Sequence, residues 1–248
     1  MKIGIIGFGN LGRALTSGLI MSGIAAADIF VCDNSPAARE SAEKEYSVGA
    51  SEDAQHVIRH ADIVFLTVKS YVFEELALGI DKSLWEAKTV VSFMAGAQFD
   101  WLYTLIGGAV LVRGMPSLAI AQCEGVIGYT KAPEAVAGIF SKLGYAFEVA
   151  PEEIEKVMAF SSCGLGFAAY LIDAFAAAGQ TMGFSPDASA RIAALTFKNA
   201  VDRGGFRDTV KAVATPGGAT EQGVIHMDAS NVYDIVADAV RKAYERMV

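Results

Sequence analysis

A chain of 248 residues suffices for one large domain or two small ones. It is 53% hydrophobic and 19% charged, with 25 Gly and 6 Pro, which excludes a disordered chain and, without a strict triplet period, a collagen-like one. Its 28 acidic against 20 basic residues leave a net charge of −8, which argues against a nucleic-acid-coating surface but not against anionic ligands, since backbone N–H groups bind phosphate unaided.

Along the first half, apolar runs alternate with helical stretches. Strands are predicted at Lys2–Ile6, Ile29–Cys32, Ile63–Val68, Thr89–Phe93, Val110–Val112 and Val126–Tyr129. Most are continuous Val/Ile/Phe runs rather than alternating ones, as strands buried on both faces require. Helices are predicted between them at Leu11–Met21, Pro36–Glu45, Asp53–Arg59, Phe73–Gly79 and Asp100–Leu105. Glu134–Leu143 follows, with Val136, Ile139, Phe140 and Leu143 on one stripe, and Ala146–Val149 is a last short strand. Strand–helix repetition of this kind means a doubly wound, mostly parallel sheet of Rossmann type, occupying residues 1–150.

Beyond Pro151 the strand signal vanishes, and residues 151–248 read as an all-α domain. Ala150-Pro151-Glu152-Glu153 opens one helix, with Pro and acids in the first turn, and Ser185 caps another before Pro186. Val232, Ile235, Val236, Ala239, Val240 and Ala243 form an apolar stripe near the C-terminus. The longest apolar segment, Cys163–Gly179, is rich in Ala and Gly and interrupted by Asp173. It is weaker and shorter than the roughly 20 strongly apolar residues of a spanning helix, so it is expected as a buried helix. Met1–Ile6 is too short for the core of a signal peptide. The expectation is a soluble, cytoplasmic protein with no membrane and no nucleic-acid partner.

Gly7-Phe8-Gly9-Asn10-Leu11-Gly12 is a GxGxxG motif that directly follows a strand and opens a helix, the context in which it signals a dinucleotide. Gly7 permits the tight turn, Gly9 lets the backbone approach a pyrophosphate, and Gly12 lets helix and strand pack closely. Asp33, Asn34 and Ser35 end the second strand, where an acid accepts the ribose 2′-hydroxyl of NAD and repels the 2′-phosphate of NADP. Ser35 and Arg39 are placed to serve that phosphate, or else to cap and solvate the next helix, so NADH and NADPH both stay open. Val68 and Lys69 end the third predicted strand, where Lys69 reads either as a crevice residue or as a surface lysine, and Arg113 to Ser117, with Met115 and Pro116, end the fifth and should shape the nicotinamide end.

Thr215-Pro216-Gly217-Gly218-Ala219-Thr220 lies between two helical segments. Such a turn presents successive unpaired backbone N–H groups, an anion nest, and Thr220 adds a hydroxyl donor. The same residues also read as an ordinary interhelical turn with Thr220 as a cap. Cys32, Cys123 and Cys163 lie far apart without a Cys-x-x-Cys pair, and His56, His60 and His226 have no metal-binding spacing. His56 and His60 are taken as helix-surface residues, and no metal is expected.

The segments GFGNLG, LTVK, RGMP, FSSCGLGFAAYLIDAFAAAGQTMGFSP and FRDTVKAVATPGGAT, in that order and spacing over nearly the whole chain, are similar to those of the pyrroline-5-carboxylate reductase family. The resemblance implies a Rossmann-type domain followed by an all-α dimerisation domain, and reduction of a small cyclic imine to proline with NADPH or NADH. It also implies an obligate homodimer or higher homo-oligomer with interlocked helical domains, the active site lying between one subunit's cofactor and those domains. Cys163–Gly179 would be the buried dimer helix. On matching positions, Thr220 would donate to the imine nitrogen, and the Gly217, Gly218 and Ala219 backbone would hold the substrate carboxylate. Little acid–base machinery is then needed, since a protonated imine already accepts hydride; orientation does most of the work.

Three segments depart from the family pattern. Met-Pro-Asn-Thr-Pro is here Met115-Pro116-Ser117-Leu118-Ala119; Pro and Tyr of a small-polar run are here Leu165 and Phe167; and Ser70 follows Lys69 in place of Pro. Each falls near the expected substrate end, whereas GxGxxG and PGGAT are intact. Two alternatives follow: a reductase of another small carboxylated imine or keto substrate, and a non-catalytic dinucleotide-binding protein.

Overall fold

A computed structural model describes residues 1–247. The chain forms two compact units, one of Met1–Ser162 with Tyr244–Val248 and one of Cys163–Ala243.

In the first unit, strands β1 (Ile3–Ile6), β2 (Ile29–Cys32), β3 (Gly49–Ser51), β4 (Ile63–Leu66), β5 (Thr89–Ser92), β6 (Val110–Pro116), β7 (Gly125–Tyr129) and β8 (Gly144–Glu148) form one sheet in the order β3-β2-β1-β4-β5-β6-β7-β8. All neighbours pair in parallel except β6 and β7. The doubly wound sheet expected from the apolar runs is therefore present. Its strand order reverses at β1, which pairs with β2 on one side (Ile5 with Val31) and β4 on the other (Ile5 with Phe65). In such sheets the ligand crevice opens beyond the carboxyl ends of the strands at that reversal.

The intervening helices are α1 (Asn10–Met21), α2 (Pro36–Tyr46), α3 (Ala54–His60), α4 (Ser70–Leu78), α5 (Phe99–Ile106) and α6 (Glu134–Leu143). Period-two alternation along the strands divides their side chains between two cores. Ile3, Ile5, Val31, Phe65, Val91 and Val112 pack with Leu15 and Leu19 of α1 and with Val136, Ile139, Phe140 and Leu143 of α6. Ile6, Val64, Leu66 and Val90 pack on the opposite face with Val57 and Ile58 of α3, Phe73 of α4 and Leu102 and Ile106 of α5. Because both faces are covered, the strands carry no polar alternation. Each such fully buried side chain contributes about 1.5–3 kcal/mol. Ser35 caps α2, its hydroxyl accepting from the Ala38 N–H at 3.3 Å, and Asp53 caps α3 through the Gln55 N–H at 2.8 Å.

Two features differ from the sequence expectation. The edge strand β3, Gly49-Ala50-Ser51, carries no β-favouring residue and exists because it pairs with β2. The strand predicted to stop at Val112 runs on to Pro116, because Gly114–Pro116 exchange their β5 partner for antiparallel pairing with β7. After β8 the chain enters α7 (Ile154–Val157) and a π-helical turn, Met158–Ser162, still within the first unit. Buried Arg113 and Glu155 form an ion pair that ties α7 to β6, and the Ser162 hydroxyl donates to the Pro116 carbonyl at 2.9 Å.

The second unit is helical, as expected: α8 (Cys163–Thr181), α9 (Pro186–Arg203), α10 (Phe206–Val213), α11 (Ala219–Ala229) and α12 (Val232–Glu245). Ser185 caps α9 through the Ala188 N–H at 3.3 Å. At Gly179 of α8 a Cβ would lie 3.0 Å from the Ser189 hydroxyl of α9, so the glycine permits close helix packing. The expectation that Cys163–Gly179 is buried does not hold within one chain, where Ala176 is the only buried residue of α8. Tyr170, Phe175 and Leu195 stand exposed around it, and the predicted C-terminal stripe is only partly covered, with Ile235 62% exposed and Val232, Ala239, Val240 and Ala243 half-buried. The physical reason is that α8 has one substantial neighbour, α9, and a helix apolar on several sides needs more than one. The helical run Pro151–Thr181 is long and apolar enough to cross a membrane by length and composition.

Candidate dinucleotide site

A cleft of about 720 Å³ opens at the carboxyl ends of β1, β4, β5 and β6. Gly7, Gly9, Asn10, Leu11, Asp33, Val68, Lys69, Met115 and Pro116 line it, so the sequence-predicted residues of four separate loops meet in one place. Phe8, Gly12, Asn34 and Ser35 are not part of that lining.

The glycine loop has the geometry its motif demands. Gly7 takes φ +102°, and a Cβ there would also meet Val68 at 2.6 Å. A Cβ on Gly12 would overlap the Gly7 carbonyl oxygen, so that glycine sets the approach of α1 to the loop. Gly9 faces open space, with nothing within 4 Å of where its Cβ would be. It is also the N-cap of α1 and offers no side chain to the first-turn amides, whose first internal bond runs from Arg13 N–H to Gly9 carbonyl at 2.9 Å. An open backbone, unclaimed amides and a helix N-terminus fit a pyrophosphate. Phe8 serves the site from behind: its ring is buried, edge-on to Tyr46 and under the Arg13 guanidinium at 4.8 Å.

Asp33 holds this loop in place. One carboxylate oxygen accepts the Phe8 N–H at 2.7 Å, and the other accepts the Ser35 N–H at 2.9 Å. Ser35 spends its hydroxyl on capping α2, which is the cap role the sequence left open. Arg39 donates to the Asp33 carbonyl at 2.8 Å and to Glu52 at 3.3 Å. Beside Asp33, burial raises the Cys32 thiol to a pKa of about 11, with the charges of Asp33 and Asp53 adding to the rise.

Sequence reading missed several residues here. The Thr67 hydroxyl lies 2.7 Å from the Gly7 carbonyl and 3.0 Å from that of Ile6, bracing the loop across the β1–β4 seam. Phe93, Met94 and Ala95 after β5, with Leu118, Met158 and Ser162, complete the wall. The rule that every strand end at the reversal lines the crevice points to the β5 residues; nothing in the pattern points to the π-turn. Arg113, expected to shape the nicotinamide end, is instead completely buried and ion-paired with Glu155, while Met115 and Pro116 reach the cleft. The Ser117 hydroxyl accepts the Val126 N–H at 3.1 Å and is thereby committed to the fold.

The Thr215–Thr220 turn belongs to the helical unit. Gly217 takes φ +73°, a conformation suited to glycine. The expected row of free amides is only partly there. Gly217 N–H donates to the Glu221 carboxylate at 2.7 Å and Gly218 N–H to the Thr215 carbonyl at 2.8 Å, because the turn closes on itself. The free donors begin one residue later, at Ala219, Thr220 and Glu221, whose amides precede the first internal bond of α11, from Gln222 to Gly218. Ala219 and Thr220 are exposed. Among the described residues no group of three or more His, Cys, Asp or Glu is placed to hold a metal.

Comparison with known proteins adds to this geometry. Residues 2–96 match the family described as NADP oxidoreductase coenzyme F420-dependent, and residues 151–248 match pyrroline-5-carboxylate reductase dimerisation. The chain is 29% identical to the pyrroline-5-carboxylate reductase of Escherichia coli (strain K12), over 99% of this chain and 96% of the relative. It is 28% identical to that of Methanosarcina acetivorans, over 99% and 96%. Among solved structures, Plasmodium falciparum pyrroline carboxylate reductase with NADP bound superposes at a TM-score of 0.89 and 22% identity, covering 100% of this chain and 97% of that one.

Proposed function

We propose that the chain is a member of the pyrroline-5-carboxylate reductase family, supported by the match of residues 151–248 and the 29% identity over nearly the whole chain, and that it reduces 1-pyrroline-5-carboxylate to proline with NAD(P)H. The observation that carries this reading is the glycine loop: a GxGxxG turn open at Gly9 under the uncapped N-terminus of α1, in the cleft at the sheet's reversal. When bound, the nicotinamide supplies a hydride to the imine carbon. The α1 amides and Gly9 hold the pyrophosphate, and Asp33 holds the adenosine ribose. Met115, Pro116 and Leu118 form an apolar wall that keeps water from the nicotinamide.

On the helical unit, the Thr220 hydroxyl donates a hydrogen bond to the neutral imine nitrogen, which takes a proton from Thr220 or a water behind it as the carbon takes hydride, and the Ala219 and Thr220 amides take the substrate carboxylate. Gly217 and Gly218 shape the turn; the Gly217 N–H joins the carboxylate site only when Glu221 leaves it. We propose residues 1–150 as the cofactor domain and 151–248 as the substrate and dimerisation domain. Exposed Tyr170, Phe175, Tyr233 and Ile235 then form the face covered by a second copy, in a cytoplasmic homodimer. A related carboxylated imine is the second reading. It is favoured by Leu118, an apolar side chain lining the cleft where relatives of this family carry a polar one.

The test follows loss of reduced-cofactor absorbance with pyrroline-5-carboxylate. Turnover that falls at least about tenfold in Thr220→Ala, with cofactor affinity unchanged, supports the assignment. Absent turnover with intact cofactor binding moves the reading to other imines; unchanged turnover in Thr220→Ala removes Thr220 from the site.

A further inference from the structure

We infer that Asp33 makes this chain select NADH over NADPH. The inference rests on the reductase reading but concerns a choice which that reading leaves open. An acid at the end of β2 can tolerate a 2′-phosphate if its side chain swings away. Here it cannot, because both carboxylate oxygens are fastened to backbone donors, one to Phe8 at 2.7 Å and one to Ser35 at 2.9 Å. Rotation would strand the Phe8 amide in the glycine loop and the Ser35 amide at the start of α2, so the charge stays at the wall of the cleft. An ionised carboxylate has about four acceptor positions, so two remain for the ribose 2′- and 3′-hydroxyls.

The surrounding charges give a 2′-phosphate no refuge. Arg39 is the neighbouring cation, and its guanidinium is shared between the Asp33 carbonyl and the Glu52 carboxylate. Ser35, the other candidate phosphate ligand, caps α2 with its hydroxyl and has given its amide to Asp33. The Cys32 thiol is raised mainly by burial, with smaller contributions from the Asp33 and Asp53 charges that outweigh the opposing Arg39. A phosphate of charge near −2 within hydrogen-bonding reach of a fixed carboxylate is disfavoured by about tenfold even at water-like screening, or ~1.4 kcal/mol. NADH suffers no such repulsion and gains two hydroxyl contacts.

The experiment is direct titration of the purified full chain with NADH and with NADPH, without imine, followed by nicotinamide fluorescence at low and high salt. NADH is expected to bind at least about tenfold more tightly, with the gap narrowing as salt rises, because the discrimination is electrostatic. Asp33→Asn keeps a side-chain oxygen for the Phe8 amide and removes the charge; it should weaken NADH binding and strengthen NADPH binding. Asp33→Ala, compared by circular dichroism with the parent, separates loss of charge from loss of the loop. NADPH binding as tightly as NADH to the parent overturns the inference and leaves the reductase reading standing. Binding of neither cofactor overturns both.

Discussion

The joint between the sheet and the helix that follows it rests on one buried ion pair, and its removal has a calculable consequence. Arg113 on β6 is 0% exposed and Glu155 on α7 is 2% exposed. Without Glu155, the guanidinium keeps only the Gln98 side-chain oxygen at 3.4 Å and the Pro151 carbonyl at 3.5 Å, both at the limit of a hydrogen bond, and its Nε has no partner at all. Breaking a buried pair by deleting one member costs about 3–5 kcal/mol, because the remaining charge is left in an apolar interior. At about 2–4 °C per kcal/mol for a chain of this size, Glu155→Ala should lower Tm by roughly 6–20 °C.

Glu155→Gln retains an oxygen for Arg113 and should lose about half as much, whereas the Arg113→Met, Glu155→Leu double variant should recover most of the loss. The assay is thermal and urea denaturation at a single protein concentration, since association contributes to apparent stability. Cofactor affinity should fall alongside, because the π-turn that α7 leads into supplies Met158 and Ser162 to the cleft. Stability of Glu155→Ala within about 1 kcal/mol of the parent would refute the argument, since water would then have to reach Arg113 freely.

Three further outcomes are expected. Gly12→Ala drives a methyl group into the Gly7 carbonyl and should cost at least about tenfold in cofactor binding by equilibrium titration, whereas Gly9→Ala, facing open space, should fold as the parent and lose affinity only. Ile235→Asp, at a 62% exposed apolar position, should lower the association state by light scattering without lowering helix content; unchanged mass would place the interface elsewhere. The Cys32 thiol, held near pKa 11 when folded, keeps its proton while the unfolded thiol gives its up, so stability should fall as pH rises from about 9 to 11. Cys32→Ala should flatten that slope in pH-dependent denaturation, and an unchanged slope would assign it to another group.

Much of the sheet unit was legible because local signals there agree with one another. Unbroken apolar strands mean two covered faces, Ser35 and Asp53 mark helix starts, and the GxGxxG turn needs its glycines for reasons visible at each position. What escaped was set by partners distant in sequence. Gly49–Ser51 is a strand only because β2 lies beside it, and Gly114–Pro116 extend β6 only because β7 turns antiparallel there. Arg113 sits next to cleft residues in sequence, yet its charge is answered 42 positions later by Glu155. Thr67 braces the glycine loop from 60 residues away and leaves no motif.

The helical unit poses the opposite problem. The apolar stretch Cys163–Gly179 says that α8 must be covered, and it says nothing of what covers it. Hydrophobic periodicity reports the solvent a side chain avoids, whether the shelter comes from the same chain, a second copy or a bilayer. Residues 151–248 match a dimerisation family, and that match makes the second copy the preferred shelter. Asp173, in the middle of α8, agrees with that choice, since a carboxylate at the centre of a spanning helix costs about 2.5–3.5 kcal/mol on insertion scales. The exposed apolar face then has one explanation. Under a second copy, α8 would become the buried helix that its composition calls for, and in the single chain it is exposed for want of that partner.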